Sequence, residues 1–228
     1  MLCMTHYASI QNNNCTHTIN GIQEDTQLNS ALLDLAPTLA FFCMITTLTP
    51  GPNNIMLAHS GAHFGIKKTL PHVLGIRVGM SALHLTILVG LGELFVLWPN
   101  LQRLLSIIAC AYIVYIAYKI ALNPPPRDGQ QGSPMGFTQA ASFQLINPKS
   151  WAMLLTASSV FTLENELFWP SAILGLLLFN LATLPGTFMW ITIGKLVSNK
   201  LVDPKFNQRF NWSMSFLLLM TLPMLFIS

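Results

Sequence analysis

Apolar residues run through six stretches of the chain, at about 35–58, 73–97, 101–122, 139–163, 168–193 and 210–227, with polar residues gathered between them. About 20 apolar residues in helical form cross a hydrocarbon core of roughly 30 Å. No stretch has the alternating ten-residue pattern of a membrane barrel, so the expected fold is an all-α membrane protein with six transmembrane helices. The start of the chain, "MLCMTHYASIQNNNCTHTINGIQEDTQLNS", is polar and lacks Lys and Arg. A signal peptide needs a basic region followed by an apolar one, so residues 1–32 are expected to be a disordered tail. Residues 33–228 then form one six-helix domain. The segment "NPPPRDGQQGSPMG" at 123–136 divides it into halves at about 33–122 and 137–228. Three spans before this linker and three after it run in opposite senses, which allows a 3+3 inverted repeat, although the halves share little at the residue level.

Two apolar stretches are interrupted. "LTPGPNN" places Pro50, Gly51 and Pro52 inside the first, and "LINPKSW" places Asn147, Pro148 and Lys149 inside the fourth. Proline lacks an N–H and clashes with the preceding turn, so helices one and four are expected to be broken. Broken helices expose backbone groups at depth, and these need partners in a cavity or on other helices. The helix restarting at Asn53 and Asn54 offers N–H groups and side-chain amides to an anion, and Lys149 adds a full positive charge. A single proline, such as Pro185 in "TLPGTF" or Pro223, reads more simply as a kink.

Only 8% of the 228 residues are charged, 52% are hydrophobic and the net charge is +3. The cations mark topology rather than a nucleic-acid surface. Lys67, Lys68, Lys119, Arg127, Lys195, Lys200, Lys205 and Arg209 follow spans one, three and five. The opposite side has Arg103 with Glu164, Glu166, Glu24 and Asp25. The positive-inside rule then puts both termini outside, with Trp98 and Trp169 as outer anchors and Tyr118 and Trp212 as inner ones. Cys3, Cys15, Cys43 and Cys110 form no C-x-x-C pair, which argues against a membrane thiol oxidoreductase. No Walker loop, nucleophile elbow or H-E-x-x-H is present, so neither ATP hydrolysis nor metalloprotease chemistry is expected.

In span two, Arg77, Ser81 and His84 share one helix face, and Gly75 and Gly79 share another, suited to close packing. Two readings stay open for Arg77: a substrate contact, or an anchor reaching the headgroups. His84 is a candidate proton carrier or a hydrogen-bonded structural histidine. Glu93 reads as an interfacial charge. His59 and His63 have metal-ligand spacing but no nearby cysteine or carboxylate, so they are expected to be solvated at the inner helix end, and no metal site is assigned.

Together, "ITTLTPGPNNIMLAHSGAHFGIKKTLPHVLGIRVG" (45–79), "AYIVYIAYKI" (111–120) and "FQLINPKSWAMLLTAS" (143–158) closely resemble the LysE/RhtB family of bacterial amino-acid exporters. The resemblance runs from about residue 33 to the end. It implies six helices in the bacterial inner membrane, no cofactor, and efflux of amino acids or derivatives by proton antiport. Carried over by position, it points to Thr49, Pro50, Gly51, Pro52, Asn53 and Asn54, to Gly75 and Gly79, and to Asn147, Pro148 and Lys149. Many members carry Asp after the second glycine of the span-two motif, where this chain has Met80. That departure puts cationic substrates in doubt. The chain looks most like the branch exporting cysteine and O-acetylserine, so a small neutral amino acid is the expected substrate. The alternatives are an exporter of cations or other small metabolites, and a non-transporting membrane scaffold. A homodimer is compatible with six spans, and the Gly75/Gly79 face is the one surface available to name for it, although that face serves packing within the chain equally well.

Overall fold

The computed structural model describes residues 29–91, 97–125 and 133–225. Glu93, Arg127 and the tail through residue 28 lie outside them. The described residues are helical throughout, with no strand. Helix α1 spans Asn29–Leu48, opening ahead of the boundary expected at 33. Then follow α2 (Pro52–Thr86), α3 (Pro99–Ala121), α4 (Phe137–Phe143), α5 (Pro148–Phe161), α6 (Phe168–Ala182), α7 (Leu184–Val197) and α8 (Pro204–Leu219). Prolines sit in the first turns of α2, α3, α5, α7 and α8, where the missing N–H costs no intrahelical bond.

Among the described residues, four stretches are long and apolar enough to cross a membrane: Asn29–Leu48, Pro52–Gly90, Arg103–Ala121 and Asn165–Val202. The chain is a multi-pass membrane protein. The expected span at 139–163 is divided between α4 and α5 by the turn at Gln144–Ile146, so neither piece is long enough alone. Pro52–Gly90 has 39 residues, about 58 Å if straight at 1.5 Å per residue. It cannot stay straight inside the bilayer. Gly65 (φ 75, ψ 174) interrupts it in a backbone region that only glycine adopts readily. Ser60 Oγ lies 3.4 Å from His72 Nδ1, although twelve helical residues would separate them by about 18 Å. The chain therefore folds back at Gly65, beside Lys67 and Lys68. The second long stretch bends where α6 gives way to α7 at Thr183, ahead of Pro185.

Glycines set the closest helix contacts. A Cβ at Gly61 would stand 2.2 Å from the Ile191 carbonyl oxygen, and one at Gly194 only 1.9 Å from that of Ala58, so α2 and α7 meet backbone to backbone. Gly75 and Gly79 approach the Phe137 and Ala141 carbonyl oxygens of α4 at 2.3 and 2.5 Å by the same measure. That face is used within the chain and is not open to a second copy. Leu39, Leu57, Leu83, Leu154 and Ile191 fill the core beneath these contacts, while Leu74, Ile107, Leu181, Leu196 and Phe216 are exposed, as lipid-facing side chains must be. Trp98, Tyr118, Trp169 and Trp212 are exposed as well.

One expectation is overturned. His59 and His63 are buried, not solvated. Their rings lie tilted against each other at 4.4 Å between centroids, and His63 Nε2 lies 3.0 Å from Asn211 Oδ1 of α8. The close approach of α7 at Gly61 and Gly194, with α8 beside it, encloses this turn of α2. Among the described residues no group of three or more His, Cys, Asp or Glu is placed to hold a metal.

Candidate functional site

Both expected breaks are present, and they face each other. α1 ends at Leu48 and α2 begins at Pro52, with Gly51 extended between them (φ −173, ψ 170). α4 ends at Phe143 and α5 begins at Pro148, with Asn147 extended at its N-cap. Neither Gly51 nor Asn147 caps its helix with a side-chain bond, so the first-turn N–H groups of α2 and α5 lack that partner.

The residue after each helix-starting proline reaches across to the opposite break. Asn53 Nδ2 donates to Gln144 Oε1 at 2.9 Å, and Gln144 Nε2 returns a bond to Asn53 Oδ1 at 3.2 Å. Lys149, in the same position of the other half, donates from Nζ to the carbonyl oxygen and hydroxyl of Thr49, both at 2.7 Å, and to the Pro50 carbonyl at 3.3 Å. Asn54 holds the same end of α1 from its own side, donating to the Thr47 and Thr49 carbonyls at 2.7 and 2.8 Å. Carbonyls that a helix end leaves open are thus satisfied by side chains.

Gln144 is fully buried, and its amide is saturated. It also donates to the Ala140 carbonyl at 2.7 Å and accepts from Ser150 Oγ at 2.8 Å. Gln144→Leu would strand the Asn53 amide and the Ser150 hydroxyl, at roughly 1–3 kcal/mol for each group left unpaired. The melting temperature in detergent is expected to fall by about 4–24 °C, taking 2–4 °C per kcal/mol for a chain of this size. An unchanged melting temperature would mean that this amide cluster contributes nothing to joining the breaks.

Arg77 closes the assembly. Its guanidinium turns inward, donating to the Asn180 carbonyl at 3.2 Å, to the Thr183 hydroxyl, and to the Thr187 hydroxyl at 2.7 Å. These acceptors sit where α6 bends into α7, so the headgroup-anchor reading of Arg77 does not hold. Asn53, Asn54, Arg77, Asn147 and Lys149 line one cavity with Gly51, Thr46, Thr47, Ser150, Thr183 and Thr187. Leu57, Ile76, Met80, Met153 and Phe179 form its apolar wall. The centre of a water-sized sphere has about 50 Å³ in which to move, against roughly 10–15 Å³ for a single water. Among the described residues the lining includes two cationic side chains and no carboxylate.

The remaining expected residues stand around this cavity rather than in it. Thr49 and Pro50 supply acceptors to Lys149, while Pro52 and Pro148 start the two helices. Ser81 accepts from Asn180 Nδ2 at 2.9 Å. His84 is buried beside Phe179, with ring centroids 6.3 Å apart and Nδ1 unpartnered. Sequence reasoning missed Gln144, Asn180, Thr183 and Thr187. Their signal was polar residues in apolar helices, with Asn180, Thr183 and Thr187 at i, i+3, i+7 on one face.

The chain matches the family of LysE type translocators over residues 44–222. It is 34% identical over 169 residues to the cysteine/O-acetylserine efflux protein of Escherichia coli K12, covering 71% of this chain and 85% of that protein. The protein of that name from Shigella sonnei gives the same figures, and the one from Shigella flexneri serotype 5b is 33% identical over 158 residues, 68% of this chain and 80% of the relative. No solved structure matches the chain. A membrane protein whose two broken helices meet at a polar cavity, and which aligns with these efflux proteins over most of its length, is a translocator rather than an enzyme: the chain belongs to the LysE type translocator family.

Proposed function

We propose that this protein exports a small neutral amino acid or derivative across the bacterial inner membrane, in exchange for protons. The observation that carries this reading is the charge of the cavity: among the described residues, Arg77 and Lys149 line it without any carboxylate. A ligand with its own carboxylate balances that charge, and the N-terminal turns of α2 and α5, whose dipoles favour an anion, border the same cavity. The apolar wall at Leu57, Ile76, Met80, Met153 and Phe179 suits an uncharged side chain. A cationic side chain would meet two like charges and no counter-ion, which is costly in a low-dielectric site. The similarity to cysteine/O-acetylserine efflux proteins favours substrates of that size.

The six-span arrangement belongs to the same proposal. Asn53 and Lys149, each the residue after a helix-starting proline, reach across to the opposite break, which supports a 3+3 inverted repeat with the site at its centre. The excess of Lys and Arg after spans one, three and five favours termini outside. His84 is the proposed proton carrier, standing against Phe179 of the cavity wall.

The test is efflux of labelled cysteine, O-acetylserine, threonine, leucine and lysine from cells expressing the protein, with and without a protonophore. Protonophore-sensitive export of a small neutral member, with none of lysine, is the expected result. Export of lysine alone, or of no amino acid by inserted protein, would overturn the reading.

A further inference from the structure

Lys149 is both part of the cavity lining and the tie from α5 to the end of α1, which Asn54 holds from α2. Its ammonium has three N–H donors, and the structure gives it three acceptors: Thr49 O, Thr49 Oγ1 and Pro50 O. All three are neutral and all belong to the break after α1. Its stem lies so close to Gly51 that a Cβ there would stand 2.6 Å from Lys149 Cδ. Gly51 has an extended backbone open to any residue, so its small size serves the passage of this side chain.

A carboxylate entering the cavity offers Nζ a charge-assisted bond, roughly twice as strong as a bond between neutral groups. Donors given to that carboxylate are withdrawn from Thr49 and Pro50. The neighbouring Asn53–Gln144–Ser150 cluster has no such choice, because it is uncharged and saturated. We infer that Lys149 is the specificity-determining tie of this translocator: it fastens the end of α1 to α5 while the cavity is empty and gives up that tie to a ligand carboxylate, leaving α1 held from α2 alone by Asn54, while the Asn53–Gln144 pair keeps the two breaks joined. The carboxylate is then what permits the site to open. An amine of the same size without a carboxylate enters and leaves α1 held. This inference rests on the reading of the cavity as a carboxylate site.

The test is hydrogen exchange, followed by mass spectrometry, on the full chain in detergent, reading the peptide across residues 45–54. L-cysteine, O-acetyl-L-serine and L-threonine are compared with cysteamine, which has the amine and thiol of cysteine but no carboxylate. Exchange across 45–54 is expected to rise at least about tenfold with a bound amino acid, the size expected for losing a single bond to a charged donor, and to stay unchanged with cysteamine. Lys149→Met and Gly51→Ala without ligand are expected to exchange as fast as the liganded wild type. Gly51→Ala keeps the cation and crowds only the Lys149 side chain, at Cδ (2.6 Å) and Nζ (3.1 Å), so it remains informative if Lys149→Met folds poorly. Unchanged exchange in a peptide from α3 separates local release from general loosening.

An amino acid that raises the melting temperature without speeding exchange at 45–54 would overturn the inference and leave the carboxylate-site reading standing. Acceleration by cysteamine, or wild-type exchange in both variants, would also overturn it. If no amino acid changes either the melting temperature or the exchange, the inference and the carboxylate-site reading fall together.

Discussion

Arg77→Met is expected to reduce efflux at subsaturating substrate roughly 100-fold, near the lower end of the 2–5 kcal/mol that truncating one partner of a buried charge pair costs. The methionine keeps much of the stem but removes one of the two cations lining the cavity, and it leaves the Asn180 carbonyl and the Thr183 and Thr187 hydroxyls without their donor. Arg77→Lys is expected to recover little. An ammonium on a flexible stem does not reproduce a planar fork fitted to acceptors on both sides of the α6–α7 bend. Initial rates in proteoliposomes across a range of internal substrate concentrations would separate weakened binding from slowed turnover. Wild-type rates for Arg77→Met at wild-type levels of inserted protein would mean that substrate charge is balanced elsewhere.

Gly194→Leu is expected to leave little or no folded protein. A Cβ at this position would lie 1.9 Å from the Ala58 carbonyl oxygen and 3.0 Å from the Ala62 nitrogen, and both are backbone atoms that no side-chain rotation can move. α7 would have to withdraw from α2, opening the enclosure around His59, His63 and Asn211 and shifting Thr187 away from Arg77. Overpacking a tight contact typically costs 1–3 kcal/mol even where side chains can yield, and here the obstacle is a helix backbone. Gly136→Ala is the contrasting control, since a Cβ there meets only Gln139 Oε1, at 4.0 Å. The monodisperse fraction after detergent extraction and the melting temperature report both variants. A Gly194→Leu protein melting within about 2 °C of wild type would show that the α2–α7 contact is not needed for stability.

The residues that break the helices act through their own backbone, and so were readable directly. Pro50 to Pro52 and Pro148 interrupt whatever helix contains them, and the apolar stretches around them require a membrane because so little charge is available to face water. The signature at 45–79 likewise pointed to the translocator family before any contact was known. The spacing of Arg77, Ser81 and His84 placed them on one helix face, but it did not say what that face would meet.

Partners came from far along the chain. Lys149 and Thr49 are 100 residues apart, Asn53 and Gln144 91, Arg77 and Thr187 110, and His63 and Asn211 148. Hydrophobic periodicity describes one helix at a time, so a polar residue such as Gln144 or Thr183 looked like a blemish in an apolar run until a second helix brought its acceptor or donor. Burial of His59 and His63 depends in the same way on Gly61 and Gly194 meeting across two helices. From the chain alone came the membrane class, the family, and the places where helices must stop, because these follow from local stereochemistry and composition. Folding alone assigned each exposed carbonyl and each cation its partner, because a polar group at depth bonds to whatever the helix packing brings within reach.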